Sequence, residues 1–179
     1  MAYNGGMAQV IVSAIGRDRP GLVGEFTKFA LDRGLSLADA RMLNMQGQFA
    51  MIVAVVGESP AIARLREELS GFASTLGLTV AWAPEAADWK PTKGLPFRLR
   101  VYSLDQPGIV HRVSSLLHRH GVNIEELESS LESAPFMGAP LFTVEMHVTV
   151  PTGVPLRALR QELEHTCTEL NCDVDLEPA

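Results

Sequence analysis

The chain has 179 residues, 46% hydrophobic and 20% charged, which excludes a disordered polar chain and fits one medium domain or two small ones. Its formal charge is −6, with eight basic against nine acidic residues in positions 1–90 and seven against twelve in 91–179, a balance that opposes contact with a phosphate backbone. No apolar run reaches the roughly 18 residues that span a bilayer, and MAYNGGMAQV lacks the basic start and apolar middle of a signal peptide, so a cytoplasmic protein without membrane contact is expected.

In chain order, AQVIVSAIG reads as a strand and is followed by a helix whose stripe is Leu22, Val23, Phe26, Phe29 and Ala30. Two strands come next, LSLADARML and QFAMIVAVVG, joined by a tight turn at Met45, Gln46 and Gly47. The helix SPAIARLREELSGFASTLG aligns Ile62, Leu65, Leu69 and Leu76 on one side, and LTVAW closes the set as a short strand. The stretch APEAADWKPTKGLP is rich in Pro, Ala and charge and reads as a linker.

The same order then repeats: strand FRLRVYS, a helix with Ile109, Val110, Val113, Leu116 and Leu117 in its stripe, strands VNIEELESSL and LFTVEMHVTV, helix PLRALRQELEHTCTEL, and strand CDVDL. The repeat is visible in the letters, since Asp18, Pro20, Gly21, Val23 and Gly34 recur 87 positions later as Asp105, Pro107, Gly108, Val110 and Gly121. The second helices are offset by 94, so seven extra residues fall in the second copy's hairpin, where ESAPFMGAP replaces the tight turn. Strand, helix, strand, strand, helix, strand, twice over, predicts an α+β protein of two ferredoxin-like (βαββαβ) domains, each an antiparallel sheet with both helices on one face. The expected bounds are 8–83 and 97–177, with 84–96 as the linker.

The outer faces of the two sheets differ. In the second copy Leu99, Val101, Val144, Met146 and Val148 alternate with Arg98, Arg100, Thr143, Glu145 and His147, whereas in the first both faces are apolar, with Ile11, Ile15 and Ile52 on the outer one. An apolar face of that kind is expected to be covered by the other copy or by a second protomer, making a homodimer the expected state.

Each copy leads from its first strand into its first helix through Asp-x-Pro-Gly. The Asp can accept from free N–H groups of the first turn, Pro at the first helical position wastes no donor, and Gly leaves room for a ligand carboxylate at the helix N-terminus. The same residues also serve as a plain helix cap. Asn123 opens the second strand of copy two, where parallel pairing with the first strand would bring its amide near the turn; Ser36 is its shorter counterpart in copy one. Asn123 equally suits a strand-start turn.

The repeated DRPGLV and DQPGIV, each followed by the glycine before LSL or VNI, resemble the signature of ACT domains, regulatory modules that bind amino acids. The resemblance runs from about Gln9 to Leu176, and a tandem pair of this length, with GAPLFTVEMHV after the long hairpin, is similar to the glycine cleavage system transcriptional repressor family. It implies a sensor of a small amino acid, glycine being the candidate, that signals to a protein partner such as a transcriptional activator. The ligand contacts implied are Asp105, Gly108, Ile109, Asn123 and Ile124, with Asp18, Gly21, Leu22 and Ser36 in the first copy. Such sites often form where two ACT domains meet, and the hairpin Ser133 to Pro140 is long enough to lie over one.

Other chemistry finds little footing. His111 is close to the second turn and could meet a carboxylate or simply be solvated, His118 and His120 point in different directions on a helix, and neither His147 nor His165 completes a metal set. Glu126, Glu128 and Glu132 alternate onto one side of a strand as a solvated or partner-facing surface, without an opposing catalytic group. Cys167 and Cys172, spaced C-x4-C, fit neither a zinc site nor a redox motif and are expected to be reduced and structural. Phosphate loops and aromatic stacking platforms are absent, so no cofactor, catalysis or RNA binding is expected. A dimerisation module without a ligand is the main alternative.

Overall fold

The element order expected from the repeat is present in both halves of the computed structural model, which describes residues 6–84, 90–104, 107–133 and 140–179. It separates into two units, Met1–Trp89 and Lys90–Ala179. The first contains β1 (Met7–Arg17), α1 (Leu22–Leu31), β2 (Ser36–Met45), β3 (Gln48–Glu58), α2 (Ser59–Thr75) and β4 (Leu78–Pro84). The second contains β5 (Gly94–Leu104), α3 (Ile109–Arg119), β6 (Asn123–Ser133), β7 (Pro140–Pro151), α4 (Leu156–Glu169) and β8 (Cys172–Pro178). Strands take residues from both ends of the segment read as the linker, because Ala83 and Pro84 continue the ladder on β1 and Gly94 already lies opposite Pro151.

Both sheets are fully antiparallel, in the orders β2-β3-β1-β4 and β6-β7-β5-β8. Period-two alternation puts Val10, Val12 and Ala14 of β1 and Met51, Val53 and Val55 of β3 on the helix side, where they meet Leu22 and Phe26 of α1 and Leu65 and Leu69 of α2. The second unit repeats this with Leu99, Val101, Met146 and Val148 against Val113, Leu117, Leu159 and Leu163. Each core is a sheet face closed by two helical stripes, and each large aliphatic side chain fully buried there contributes about 1.5–3 kcal/mol to burial.

This order corrects one expectation. β2 and β6 pair with β3 and β7, not with β1 and β5, so Ser36 lies opposite Val56 and Asn123 opposite Thr149, the partners of Gln9 and Pro96 at the opening ends of β1 and β5. The helix between parallel-running strands returns the chain to the starting end of the sheet, away from the Asp-x-Pro-Gly turns.

The two-residue turn between β2 and β3 is Gln46-Gly47, with φ of 50° and 80°. Two successive positive φ values match the right-handed twist of the flanking strands, which is why the hairpin is so short. The long hairpin of the second copy falls largely in 134–139, outside the described residues. Within the first unit both helices pack on the other face of the sheet, and Ile15 and Ile52 lie on the outer one.

Candidate functional site

The first Asp-x-Pro-Gly turn starts where β1 ends. Gly21 is the residue before α1, with φ 94° and ψ −13°, and Gly108 before α3 has φ 96° and ψ −4°. That backbone conformation is open to glycine and costly for any residue with a Cβ. At Gly108 a Cβ would meet nothing within 4 Å, so the dihedral alone requires glycine there.

The helices begin two residues later than the turn chemistry suggests, at Leu22 and Ile109, so Pro20 and Pro107 stand before the helix and not at its first position. No side chain among the described residues caps either helix. Asp18 is engaged elsewhere: its carboxylate accepts a hydrogen bond from the Asn44 amide, and its own N–H donates to the Gly47 carbonyl at 2.9 Å. The first-turn N–H groups of α1 are thus left without a side-chain cap. Asp105, the corresponding acid of the second copy, lies outside the described residues.

That space is a hollow of about 330 Å³, walled by the turn from Asp18 to Gly24, by Met42 of β2 and by Phe49 of β3. Arg19 spans its rim. The guanidinium donates from Nη1 to Glu25 Oε1 at 2.5 Å and from Nη2 to Oε2 at 2.9 Å, a two-pronged ion pair passing close to Gly21. The hydrogen bonds from Arg19 hold the Glu25 carboxyl below its ordinary pKa, and Glu25 raises that of Arg19. The hollow is therefore lined by amide hydrogens that no side chain caps, which suit a carboxylate, and by the Asp18 carboxylate, which suits an ammonium group, while Arg19 is already paired with Glu25.

Asn44, Arg19 and Glu25 were not among the residues singled out in the sequence. Asn44 could have been found by noting that a tight β2–β3 turn returns the end of β2 to the end of β1; the residue 87 positions on is Leu131, so the repeat offered no cue.

In the second copy Gly108 is exposed and Ile109 buried in the core, where it holds α3 down. Arg112 turns away to Glu169 of α4, at 2.7 Å. Asn123 donates to Glu125 Oε1 at 2.8 Å, and Thr149 Oγ1 donates to the same oxygen at 2.9 Å. Glu125 is the extra residue of a bulge between Ile124 and Glu126, so Asn123 fastens that irregularity. Ile124 packs at the edge of the second core. Thus Asp18, Gly21 and Leu22 converge at one end of the first unit, whereas Ser36, and in the second unit Asn123 and Ile124, stand at the other end of their sheets.

The bulge leaves Glu126 opposite His147 and Glu128 opposite Glu145, both on the outer face as expected. Glu145 accepts from Arg100 Nε at 2.9 Å, with Arg98 and His147 nitrogens at 3.8 and 3.7 Å, and the Arg100 hydrogen bond chiefly holds its carboxyl below the ordinary range. His120 contacts Glu162 at 3.1 Å and His165 contacts Glu169 at 3.4 Å. Among the described residues no three His, Cys, Asp or Glu side chains form a group able to hold a metal, and no helix is long and apolar enough to cross a membrane. Cys167 and Cys172 are free thiols.

Comparison with known proteins agrees with this architecture. Residues 8–82 and 97–163 each match a family model described as the ACT domain. The chain is 25% identical over 162 residues to the glycine cleavage system transcriptional repressor of Escherichia coli (strain K12), covering 90% of this chain and 85% of that protein. A solved protein of unknown role from Galdieria sulphuraria superposes with a TM-score of 0.84 at 28% identity, over 97% of this chain and 99% of its own. A crystal structure provisionally named as a glycine cleavage system transcriptional repressor shares the fold, with a TM-score of 0.73 at 19% identity over 96% of both chains. Two matched domains occupying most of the sequence, each a βαββαβ unit, make the chain a member of the ACT domain family, a regulatory protein related to the glycine cleavage repressors.

Proposed function

We propose that this protein binds a small amino acid at the Asp18–Gly24 turn and passes the bound state to a protein partner, without catalysing a reaction. The observation that carries the reading is the hollow itself, whose lining combines Asp18, Arg19 and the uncapped start of α1. A zwitterion presents a carboxylate and an ammonium group a few ångströms apart, and this arrangement of opposite charges complements it. By the internal repeat, Asp105, Gly108 and Ile109 would form the second site. Ser36, Asn123 and Ile124 have no part in a site confined to one unit, because they lie at the other end of their sheets.

Glycine is the first ligand to try, because a related protein is named as a repressor of the glycine cleavage system. A net charge of −6 disfavours direct DNA contact and supports action through a partner such as a transcriptional activator. Family membership supports a non-enzymatic role.

Thermal denaturation with glycine, serine and the branched-chain amino acids tests the proposal. A ligand that binds the folded state raises the melting temperature, by about 2.7 kcal/mol of stability at a hundredfold excess over Kd. Arg19→Ala and Asp18→Ala should abolish the first-site component. A flat response to glycine, serine and the branched-chain amino acids alike would overturn the reading and favour a ligand-free dimerisation or scaffold module. The Arg19–Glu25 ion pair supports that alternative, since Glu25 already gives Arg19 its carboxylate.

A further inference from the structure

Resting on the amino-acid reading of this hollow, we propose that Glu25 is an internal competitor for the ligand carboxylate, holding the Arg19 guanidinium until an amino acid takes it. Glu25 stands in the first turn of α1, where its N–H donates to the Gly21 carbonyl at 2.9 Å. Its two carboxylate oxygens accept from Nη1 and Nη2 of Arg19, and a Cβ at Gly21 would lie 3.3 Å from Glu25 Oε1 and 3.9 Å from Arg19 Nη1. The ion pair therefore lies against the residue that opens the helix, and both Gly21 and Arg19 line the hollow.

A planar carboxylate held two-pronged on a guanidinium, beside helix N–H groups without a side-chain cap, is the contact that a bound amino acid would make there. Glu25 supplies that carboxylate from the chain itself. An incoming carboxylate must either replace Glu25 or share Arg19 with it. Replacement breaks two charge-assisted hydrogen bonds, and sharing sets two negative groups side by side, so Glu25 lowers the affinity in both cases. The Arg19 hydrogen bonds hold the Glu25 carboxyl below its ordinary pKa, which keeps the competitor charged at neutral pH. Solvent reaches both side chains, so the contact is weak enough to exchange and can open without disturbing the core.

The pair is not a requirement of the turn. Eighty-seven positions on, Gln106 stands for Arg19 and Arg112 for Glu25, so the second copy keeps the Asp, Pro and Gly but neither the cation nor its carboxylate. Gly108 nevertheless takes nearly the same dihedrals as Gly21, and α3 starts with no acidic residue in its first turn. Arg112 donates instead from Nη2 to Glu169 Oε2 of α4 at 2.7 Å. The helix start forms without an ion pair across it, and the two halves of the pair are present together in one copy and replaced together in the other. Removing Glu25 therefore acts on the first site alone.

Isothermal titration calorimetry of the full chain at low ionic strength, with glycine, serine and the branched-chain amino acids as probes, is the test. The first-site component is the one that Asp18→Ala removes. Glu25→Gln should tighten that component by about two- to fivefold, the range an exposed ion pair spans. Glu25→Ala, which leaves nothing to hydrogen-bond Arg19, should match or exceed the gain. The double variant Arg19→Ala with Glu25→Gln should show no first-site component, because the gain acts through Arg19 and a general loss of negative charge would not depend on it. If the native chain binds one of these amino acids at the first site and both Glu25 variants bind it no tighter, or if the double variant keeps the gain, the competitor role is overturned while amino-acid binding stands. A native chain and Glu25 variants that bind none of them would overturn the amino-acid reading, and the competitor role with it.

Discussion

The Asn44 amide donates a hydrogen bond to the Asp18 carboxylate, tying the end of β2 to the turn that leaves β1. Asn44 Oδ1 also accepts from the Gly47 N–H at 3.2 Å, so one side chain braces the two-residue hairpin and the Asp-x-Pro-Gly turn together. The link occupies one Asp18 oxygen and prevents the acid from folding back onto the helix N-terminus.

Asn44→Leu, which installs the residue found at the repeat-related position Leu131, should release Asp18 and destabilise the first unit by about 1 kcal/mol, the net worth of an exposed hydrogen bond of this kind. Urea denaturation measures the loss. If Asp18 then caps α1, the loss should be smaller in Asn44→Leu than in the double variant Asn44→Leu with Asp18→Ala.

Gly21→Ala and Gly108→Ala should each cost about 1–2 kcal/mol, because alanine disfavours φ near +95°. A Cβ at Gly21 would also lie 3.3 Å from Glu25 Oε1, so Gly21→Ala additionally shifts the ion pair, an effect without counterpart at Gly108. Denaturant midpoints compare the two.

The Arg19–Glu25 pair makes a pH-dependent contribution of defined sign. The Glu25 carboxyl titrates lower in the folded chain than in the unfolded one, so its contribution is present above the ordinary carboxylate pKa and is lost as pH falls through the folded value. Native protein should therefore exceed Glu25→Gln in stability at neutral pH, with the difference vanishing at strongly acid pH. Solvent exposure of both side chains keeps the difference small, and added salt should reduce it further.

Burial pushes the Cys167 thiol up to about 12, the neighbouring Cys172 adding to the rise, and burial raises Cys172 as well. Since the thiolate is the reactive form, Cys167 should resist maleimide labelling at neutral pH in the folded protein, and the less buried Cys172 should label first. Mass spectrometry of the modified peptides reads the order, which unfolding in urea should erase.

Residue pattern by itself determined the duplication, the βαββαβ order and which side of each strand enters a core, because periods of two and 3.6 are written locally in Val10, Val12 and Ala14 or in Leu65 and Leu69. It also placed the two turns and their glycines, since only a residue without Cβ tolerates φ near +95°. What the tertiary structure decided was which ends meet. Ser36 and Asn123 looked close to those turns under a parallel pairing that does not occur, and Asn44, three residues before the hairpin glycine, stands there in the first unit. The partner of Asp18 depends on strand order and register, which are settled by how distant segments share one core and not by any pattern within a single segment.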